Sequence, residues 1–76
     1  MSNRVFNWTF DDVVRVLKDN GFRLDHTKGS HHYYVKTVSG KKHEVCVAYH
    51  GKSVFRPRTL KGIVTQSGLP KSVWGL

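Results

Sequence analysis

The residues best suited to chemistry form one short segment, Lys28-Gly29-Ser30-His31-His32-Tyr33-Tyr34. The segment combines a cation, a glycine, two imidazoles and two aromatic rings. An imidazole has an unperturbed pKa near neutral pH, so it accepts or donates a proton there without special tuning. Next to a lysine on a basic chain, such a group suits the cleavage of RNA. Clustered titratable groups are often purely structural, so a packing role for these histidines stays open at this point.

The composition of the chain indicates which class of partner it is suited to bind. The 76 residues include 13 Lys and Arg against 5 Asp and Glu, for a net charge of +8. This charge favours a polyanionic partner, with nucleic acid as the first candidate. An anionic membrane surface is the weaker alternative, because the basic residues are not gathered on one amphipathic helix. The length predicts a single domain over residues 1–76 with a small core, and Met1 to Asn7, which lack periodicity, are expected to form an irregular lead-in.

The sequence does not show the patterns that are typical of exported, membrane-spanning, disulfide-bonded or metal-binding proteins. The chain shows neither a signal-peptide pattern nor an apolar run of membrane-spanning length, so we expect a cytoplasmic protein. The single cysteine, Cys46, excludes a disulfide framework, and its place between Val45 and Val47 predicts a buried, inert thiol. The five histidines lack the close ligand spacing of zinc motifs, so we predict no metal site and no cofactor.

Two apolar patterns with helical spacing predict one helix near each end of the chain. The first helix follows Thr9, which forms a capping-box pattern with Asp12, and ends at Asn20-Gly21. The second helix begins near Arg56-Pro57 and ends at Gly68. The apolar positions are Phe10, Val13, Val14 and Leu17 in the first helix, and Leu60, Ile63 and Val64 in the second.

The segment between the helices alternates with a period of two residues, which predicts three strands. They run from Phe22 to Asp25, from Ser30 to Thr37 and from Lys42 to Tyr49. The turns Thr27-Lys28-Gly29 and Val38-Ser39-Gly40-Lys41 are short, so neighbouring strands should be antiparallel. The expected fold class is therefore α+β, in the order α-β-β-β-α, with two helices on one face of a three-stranded sheet. This is the topology of double-stranded-RNA-binding domains.

Several short motifs follow one another in a specific order. They are Asn20-Gly21-Phe22, Lys28-Gly29-Ser30-His31 with Tyr34, Val47-Ala48-Tyr49-His50-Gly51, Thr59-Leu60 with Ile63, and Gly68-Leu69. Together they resemble the HicA family of bacterial toxins over roughly Val13 to Pro70. The sequence departs from the family pattern at Ala48, where proline is frequent. The resemblance implies a metal-independent endoribonuclease, an mRNA interferase of a type II toxin–antitoxin module. It also implies that His31 is catalytic and that a HicB antitoxin covers the site.

Strand alternation and the family resemblance disagree about which histidine is exposed. Alternation separates strand two into one set with His31, Tyr33 and Val35 and another with His32, Tyr34 and Lys36. Val35 suggests that its own set faces the helices, which favours His32 as the exposed histidine. The resemblance favours His31, and at the start of a strand beside Gly29 a side chain clears the helix layer on either face. We predict His31 as the catalytic residue and keep His32 as the alternative.

The chemistry implied for His31 needs few protein groups, because RNA carries its own nucleophile in the 2′-OH. His31 would take the proton of the 2′-OH or protonate the leaving 5′-oxygen. Lys28 and the backbone amides of Gly29 and Ser30 would face the phosphate. His50 is either a second acid or a hydrogen-bonded loop residue, and both readings stay open.

A wider set of residues is expected to contact RNA. It comprises Lys28, Gly29, Ser30, His32, Tyr34, Lys36, His50, Arg56, Arg58 and Lys61, with Lys41 and Lys42 as further phosphate contacts. Phosphate contacts supply affinity and salt dependence but little sequence choice. Tyr33 and Tyr34 are candidates for stacking on bases, with at least one of them in the core. His26 and His43 are interpreted as strand-surface residues.

Two other functions remain compatible with the same sequence. The first is a non-catalytic module that grips duplex RNA by shape, with His31 as a contact residue only. The second is an interaction protein whose basic face binds an acidic protein partner. Cleavage of RNA in the presence of a chelator distinguishes the nuclease from the binding module.

Overall fold

The computed structural model describes residues 7–75, so the expected lead-in lies outside the described residues except for Asn7. The elements are α1 (Phe10–Asp19), β1 (Arg23–Lys28), β2 (His31–Val38), β3 (Lys41–Ala48), α2 (Pro57–Ser67) and a 3-10 helix (Lys71–Trp74). The strands form one antiparallel sheet in the order β1-β2-β3. The predicted α-β-β-β-α order with a three-stranded antiparallel sheet is confirmed.

Helix α1 begins with the predicted capping box. The Thr9 hydroxyl accepts a hydrogen bond from the Asp12 amide at 3.3 Å, and the Asp12 carboxylate accepts one from the Thr9 amide at 3.0 Å. A cap of this kind stabilises a helix by about 1 kcal/mol. The residues that α1 buries are Phe10, Val13 and Leu17, which share one face at helical spacing.

Helix α2 begins at Pro57 and ends where Gly68 takes the left-handed conformation, with φ of 69°. Its buried stripe contains Leu60, Ile63 and Val64, as predicted. No acidic residue occupies its first turn, whereas Arg56 and Arg58 are both exposed there. No helix within residues 7–75 is long and apolar enough to cross a bilayer.

Both hairpins use two-residue turns, and this sets the strand boundaries. Strand β1 continues to Lys28, beyond its predicted end, because Gly29 and Ser30 alone make the first turn. Gly29 has φ of 60° in the first central position, as a II′ turn requires. In the second turn Ser39 and Gly40 both have positive φ, 51° and 78°, the pattern of a I′ turn. Strand β3 therefore starts at Lys41, one residue earlier than predicted.

Both helices pack on one face of the sheet, which we call the covered face. The core contains Trp8, Phe10, Val13, Leu17, Phe22, Tyr34, Val45, Val47, Phe55, Leu60, Ile63, Val64 and Trp74. The sheet contributes Tyr34, Val45 and Val47, and Tyr34 is directly opposite Val45. Residues that alternate with these lie on the other side of the sheet, the open face.

The prediction that Val35 faces the helices is wrong. Tyr34 is the β2 residue that enters the core, and only 4% of its surface is exposed. Alternation then places a different set on the open face, namely His31, Tyr33 and Val35. Val35 is nevertheless only 3% exposed, because its cross-strand neighbours Arg23 and Glu44 flank it. Val35 is apolar because its neighbours on the open face bury it, and the sequence alone does not distinguish this burial from packing against the helices.

The chain segments before α1 and α2 are joined at one end of the molecule. Thr9 forms an isolated antiparallel bridge with Val54, and the Phe55 amide donates to the Trp8 carbonyl at 2.7 Å. The 3-10 helix returns Trp74 to this region, with its ring centroid 5.5 Å from that of Trp8. The first turns of both helices therefore begin close together.

Candidate active site

The turn between β1 and β2 presents His31. This residue is the first of β2, is exposed and belongs to the open face. Lys28 is its partner across the turn, and the Cβ atoms of directly opposite residues lie about 5 Å apart. Ala48 flanks His31 on the other side and contributes only a methyl group. The His31 side chain makes no hydrogen bond, ion pair or ring contact with residues 7–75, so its imidazole is available to a ligand.

The backbone of the same turn adds two donors beside this imidazole. In the described part of the chain, the amides of Gly29 and Ser30 donate to no other backbone or side-chain group. A Cβ atom added at Gly29 would meet nothing within 4 Å, so the turn is open to solvent. Two unengaged amides thus precede His31 in the turn, and Lys28 is directly opposite it.

His32 lies on the covered face and is held by packing. Its ring centroid is 4.9 Å from that of Phe10 in an edge-on arrangement and 6.2 Å from that of Tyr49. Its Nδ1 lies 3.2 Å from the Ser30 carbonyl oxygen, which accepts a hydrogen bond. The alternation argument that favoured His32 as the exposed histidine is therefore wrong. Of these two neighbours, His31 is the one whose side chain has no partner among residues 7–75.

Three of the residues expected to contact RNA belong to the covered face: His32, described above, Tyr34 and Lys36. Burial of Tyr34 in the core raises the pKa of its phenol and removes its ring from RNA, which corrects the expectation that it stacks on bases. Lys36 is half-buried, with its ammonium 5.8 Å from the centroid of the Phe22 ring. It is five residues along β2 from His31, or roughly 17 Å. The structure does not bring Tyr34 or Lys36 to the His31 end.

His50 and Arg56 line a shared depression at the His31 end. Its volume is about 470 Å³, and it is lined by His50, Ser53, Val54, Phe55, Arg56 and Thr59. The Tyr49 amide donates to the Ser30 carbonyl at 2.8 Å, so the next residue, His50, follows directly on a backbone pair with the β1–β2 turn. Arg58 and Lys61 are exposed on α2. Lys41 and Lys42 begin β3 opposite Val38 and Thr37, at the far end of β2 from His31.

The open face also holds a ring pair that the sequence did not reveal. His26 and Tyr33 are cross-strand partners, and their rings stack with centroids 4.4 Å apart and an angle of 10° between planes. Cys46 lies opposite Tyr33 and is half-buried rather than fully buried as predicted. Its thiol raises the pKa of the Tyr33 phenol, mainly through a side-chain hydrogen bond.

One group of side chains could hold a metal ion. Asp25, His26 and Glu44 each offer one donor atom, and these atoms lie within 4.8 Å of one another on exposed side chains. One imidazole and two carboxylates suit Zn²⁺ or Mn²⁺. The expectation that the histidines form no metal site stays a prediction.

His43, interpreted from the sequence as a surface residue, is half-buried on the covered face with its ring against Gly68.

Fold and site together define a small α-β-β-β-α domain of double-stranded-RNA-binding topology, with an exposed histidine and lysine at a tight turn. The family model for the HicA toxin of bacterial toxin–antitoxin systems matches residues 10–69. The chain therefore belongs to the HicA toxin family, which confirms the resemblance in the motifs. A toxin of such a system has an antitoxin as its partner. No curated protein and no solved structure gives a significant match.

Proposed function

We propose that this toxin is a metal-independent endoribonuclease that cleaves mRNA, with His31 as its catalytic residue. The observation that carries the proposal is the contrast within one dipeptide. His32 is packed against Phe10, whereas His31 is exposed, without partners in residues 7–75, and directly opposite Lys28. An accessible imidazole beside a cation suits proton transfer at a phosphodiester.

The proposed reaction uses the RNA 2′-OH as nucleophile. The 2′-oxygen attacks the adjacent phosphorus, and the bond from phosphorus to the 5′-oxygen of the next nucleotide breaks. The 2′-OH loses a proton in this step, and the departing 5′-oxygen gains one. His31 accepts the first proton or donates the second. Lys28 and the amides of Gly29 and Ser30 stabilise the negative charge that builds on the phosphoryl oxygens. The products are a 2′,3′-cyclic phosphate and a 5′-hydroxyl.

The rate of such an enzyme depends on whether His31 has a partner. One positioned acid or base contributes about 10²- to 10⁴-fold, which makes a one-histidine site a modest catalyst. His50 is the candidate for the second group, because it is exposed and lies at the same end of the sheet. The chemistry requires neither a metal nor an organic cofactor.

The charge distribution supports RNA as substrate and an acidic surface as inhibitor. Lys28, Arg56 and Arg58 are exposed, and the net charge of the chain is +8. Such a surface attracts the RNA backbone and gives salt-dependent affinity. A HicB-like antitoxin would inhibit by covering His31 and these cations. Because the proposed substrate is mRNA, we propose that the protein acts in the cytoplasm.

The proposal is tested by incubating purified protein with a long single-stranded RNA in excess EDTA and determining the ends of the products. Cleavage that leaves 2′,3′-cyclic phosphate and 5′-hydroxyl ends is the expected result. Cleavage that EDTA abolishes, or that leaves 5′-phosphates, would contradict the metal-independent mechanism. Binding of duplex RNA without any cleavage would support the alternative, a non-catalytic double-stranded-RNA-binding module, which the α-β-β-β-α topology also fits.

A further inference from the structure

The stacked rings of His26 and Tyr33 form an exposed aromatic surface on the open face. The rings are nearly parallel, at 10°, with centroids 4.4 Å apart. The His26 side chain retains 51% of its exposure although it lies against Tyr33. This leaves imidazole surface accessible to a further flat group. Bases of single-stranded RNA are the flat groups that proteins bind on such rings.

The His26 ring is held in place by a hydrogen bond and by its stacking on Tyr33. The Asp25 carboxylate accepts a hydrogen bond from His26 Nδ1 at 2.7 Å, which orients the imidazole and leaves Nε2 at its other edge. Tyr33 lies opposite Cys46 on β3, is half-buried, and carries the His26 ring stacked on it. A ring that is already oriented loses little conformational entropy when a ligand stacks on it. The pair is therefore organised before any ligand binds.

The position of this pair relative to His31 matches the spacing of a phosphate and a neighbouring base. Tyr33 is two residues from His31 on the same face, or roughly 7 Å along the strand, and His26 is two residues from Lys28. A phosphate held at Lys28 and His31 would therefore place an adjoining base within reach of the rings. The distance is comparable to the length of one nucleotide.

The charge of the open face changes beyond the ring pair. Beyond the ring pair lie the carboxylates of Asp25 and Glu44, both exposed and within 4.8 Å of the His26 donor nitrogen. These carboxylates repel phosphate, whereas a neutral base has no such penalty. Arg23 lies 3.9 Å from Asp25 and offsets part of this negative charge, so the open face changes from cationic at Lys28 to mixed in charge around Glu44. The carboxylates therefore make the surface beside the rings less favourable for phosphate than the Lys28 end.

We propose that the His26–Tyr33 pair is a nucleobase-binding site that stacks the base next to the phosphate held at His31. The inference rests on the proposed RNA-cleaving function and adds a determinant of where the RNA is cut. Stacking depends on the surface of the base ring and not on its hydrogen-bonding pattern. Because purines have the larger rings, the site favours purines over pyrimidines. Cleavage should accordingly occur next to purines more often than next to pyrimidines.

Binding of short RNAs tests the site without interference from cleavage. The protein carries His31→Ala, the buffer contains EDTA, and fluorescence anisotropy gives the Kd of a single-stranded RNA and of copies with one abasic nucleotide at each position in turn. One abasic position should weaken binding about 5- to 20-fold. In the same background His26→Ala should weaken binding of the intact RNA similarly, and the abasic nucleotide should then have no further effect.

Two additional variants separate stacking from loss of fold or charge. His26→Phe restores a ring and should restore the sensitivity to the abasic position. His43→Ala removes an imidazole from the covered face and should leave both affinities as they are. Equal losses for every abasic RNA, or an undiminished abasic effect in His26→Ala, would overturn the base site. Cleavage by the unmodified protein is scored separately, so a chain that shows the coupling but cuts no RNA would refute the nuclease and not the base site.

Discussion

The two faces of the sheet give neighbouring residues of the same type opposite environments. On the covered face, His32 packs against Phe10 and Tyr34 lies in the core. On the open face, His31 is exposed and Tyr33 is half-buried beneath the ring of His26. The members of each pair are adjacent in the sequence, and the strand period of two decides which member packs against the helices and which lies on the open face. Residue type alone does not identify a reactive group.

The tyrosine pair offers the largest expected contrast. Tyr34→Ala leaves a cavity in the core and should lower the free energy of unfolding by about 3–5 kcal/mol. Tyr33→Ala removes a half-buried ring on the open face and should cost about 1 kcal/mol. Urea unfolding followed by circular dichroism measures both. Equal losses would show that the two faces do not differ in packing as described.

The histidine pair should differ in the same direction but by less. His32→Ala loses the edge-on contact with Phe10 and should lower the free energy of unfolding by about 0.5–1.5 kcal/mol. His31→Ala, at an exposed site without partners in residues 7–75, should stay within about 0.5 kcal/mol of the parent. Calorimetric melting temperatures provide the comparison. A larger loss for His31→Ala would mean that its imidazole is engaged in the fold.

Lysines test the functional side of the contrast. Lys28→Ala removes the cation opposite His31 and should reduce the magnitude of the slope of log Kd against log salt for single-stranded RNA by about 0.7. Lys18→Ala changes the net charge equally, but its residue lies in the last turn of α1. Fluorescence anisotropy at several salt concentrations measures both slopes. Identical slopes for the two variants would indicate that RNA responds to net charge and not to this site.

The smallest expected effect is a pH dependence of stability on the open face. The hydrogen bond from His26 lowers the pKa of Asp25 below 3.8. Because the folded state favours the charged carboxylate, the stabilisation is present above pH 3.8 and is lost as the pH falls through the lowered pKa. Asp25→Asn should melt slightly below the parent at pH 7, and the gap should narrow as the pH falls below 3.8. His26→Ala should reproduce this behaviour, since it removes the donor, and a gap that persists in acid would exclude the link.

The helices were predictable because their signals are local. Both helices have apolar residues at helical spacing. A capping box at Thr9 starts the first helix, and a left-handed Gly68 ends the second. The faces of β2 were not predicted from β2 alone, because Val35 is apolar yet sheltered on the open face. The information lay in the cross-strand register. A two-residue turn at Ser39-Gly40 pairs Tyr34 with Val45, and the apolar residues of β3 then mark the covered face.

The site was predicted only in part for a related reason. Lys28, Gly29, Ser30 and His31 lie together, because they are adjacent in the sequence and meet across one turn. The pairing of His26 with Tyr33 was missed, because the first turn was predicted to begin at Thr27 and β1 therefore ended too early. Thr27 and Lys28 belong to β1 but were assigned to the turn, so the pairing of this part of β1 with β2 was not predicted.

The catalytic role proposed for His31 is tested by comparing cleavage of a long single-stranded RNA in EDTA by the parent protein, His31→Ala and His32→Ala. The three proteins are compared at concentrations adjusted to equal RNA binding, after calorimetry has confirmed that each is folded. We predict that His31→Ala reduces the cleavage rate by about 100-fold or more, whereas His32→Ala retains most of the activity. Loss confined to His32→Ala, or binding by all three proteins with cleavage by none, would contradict the account.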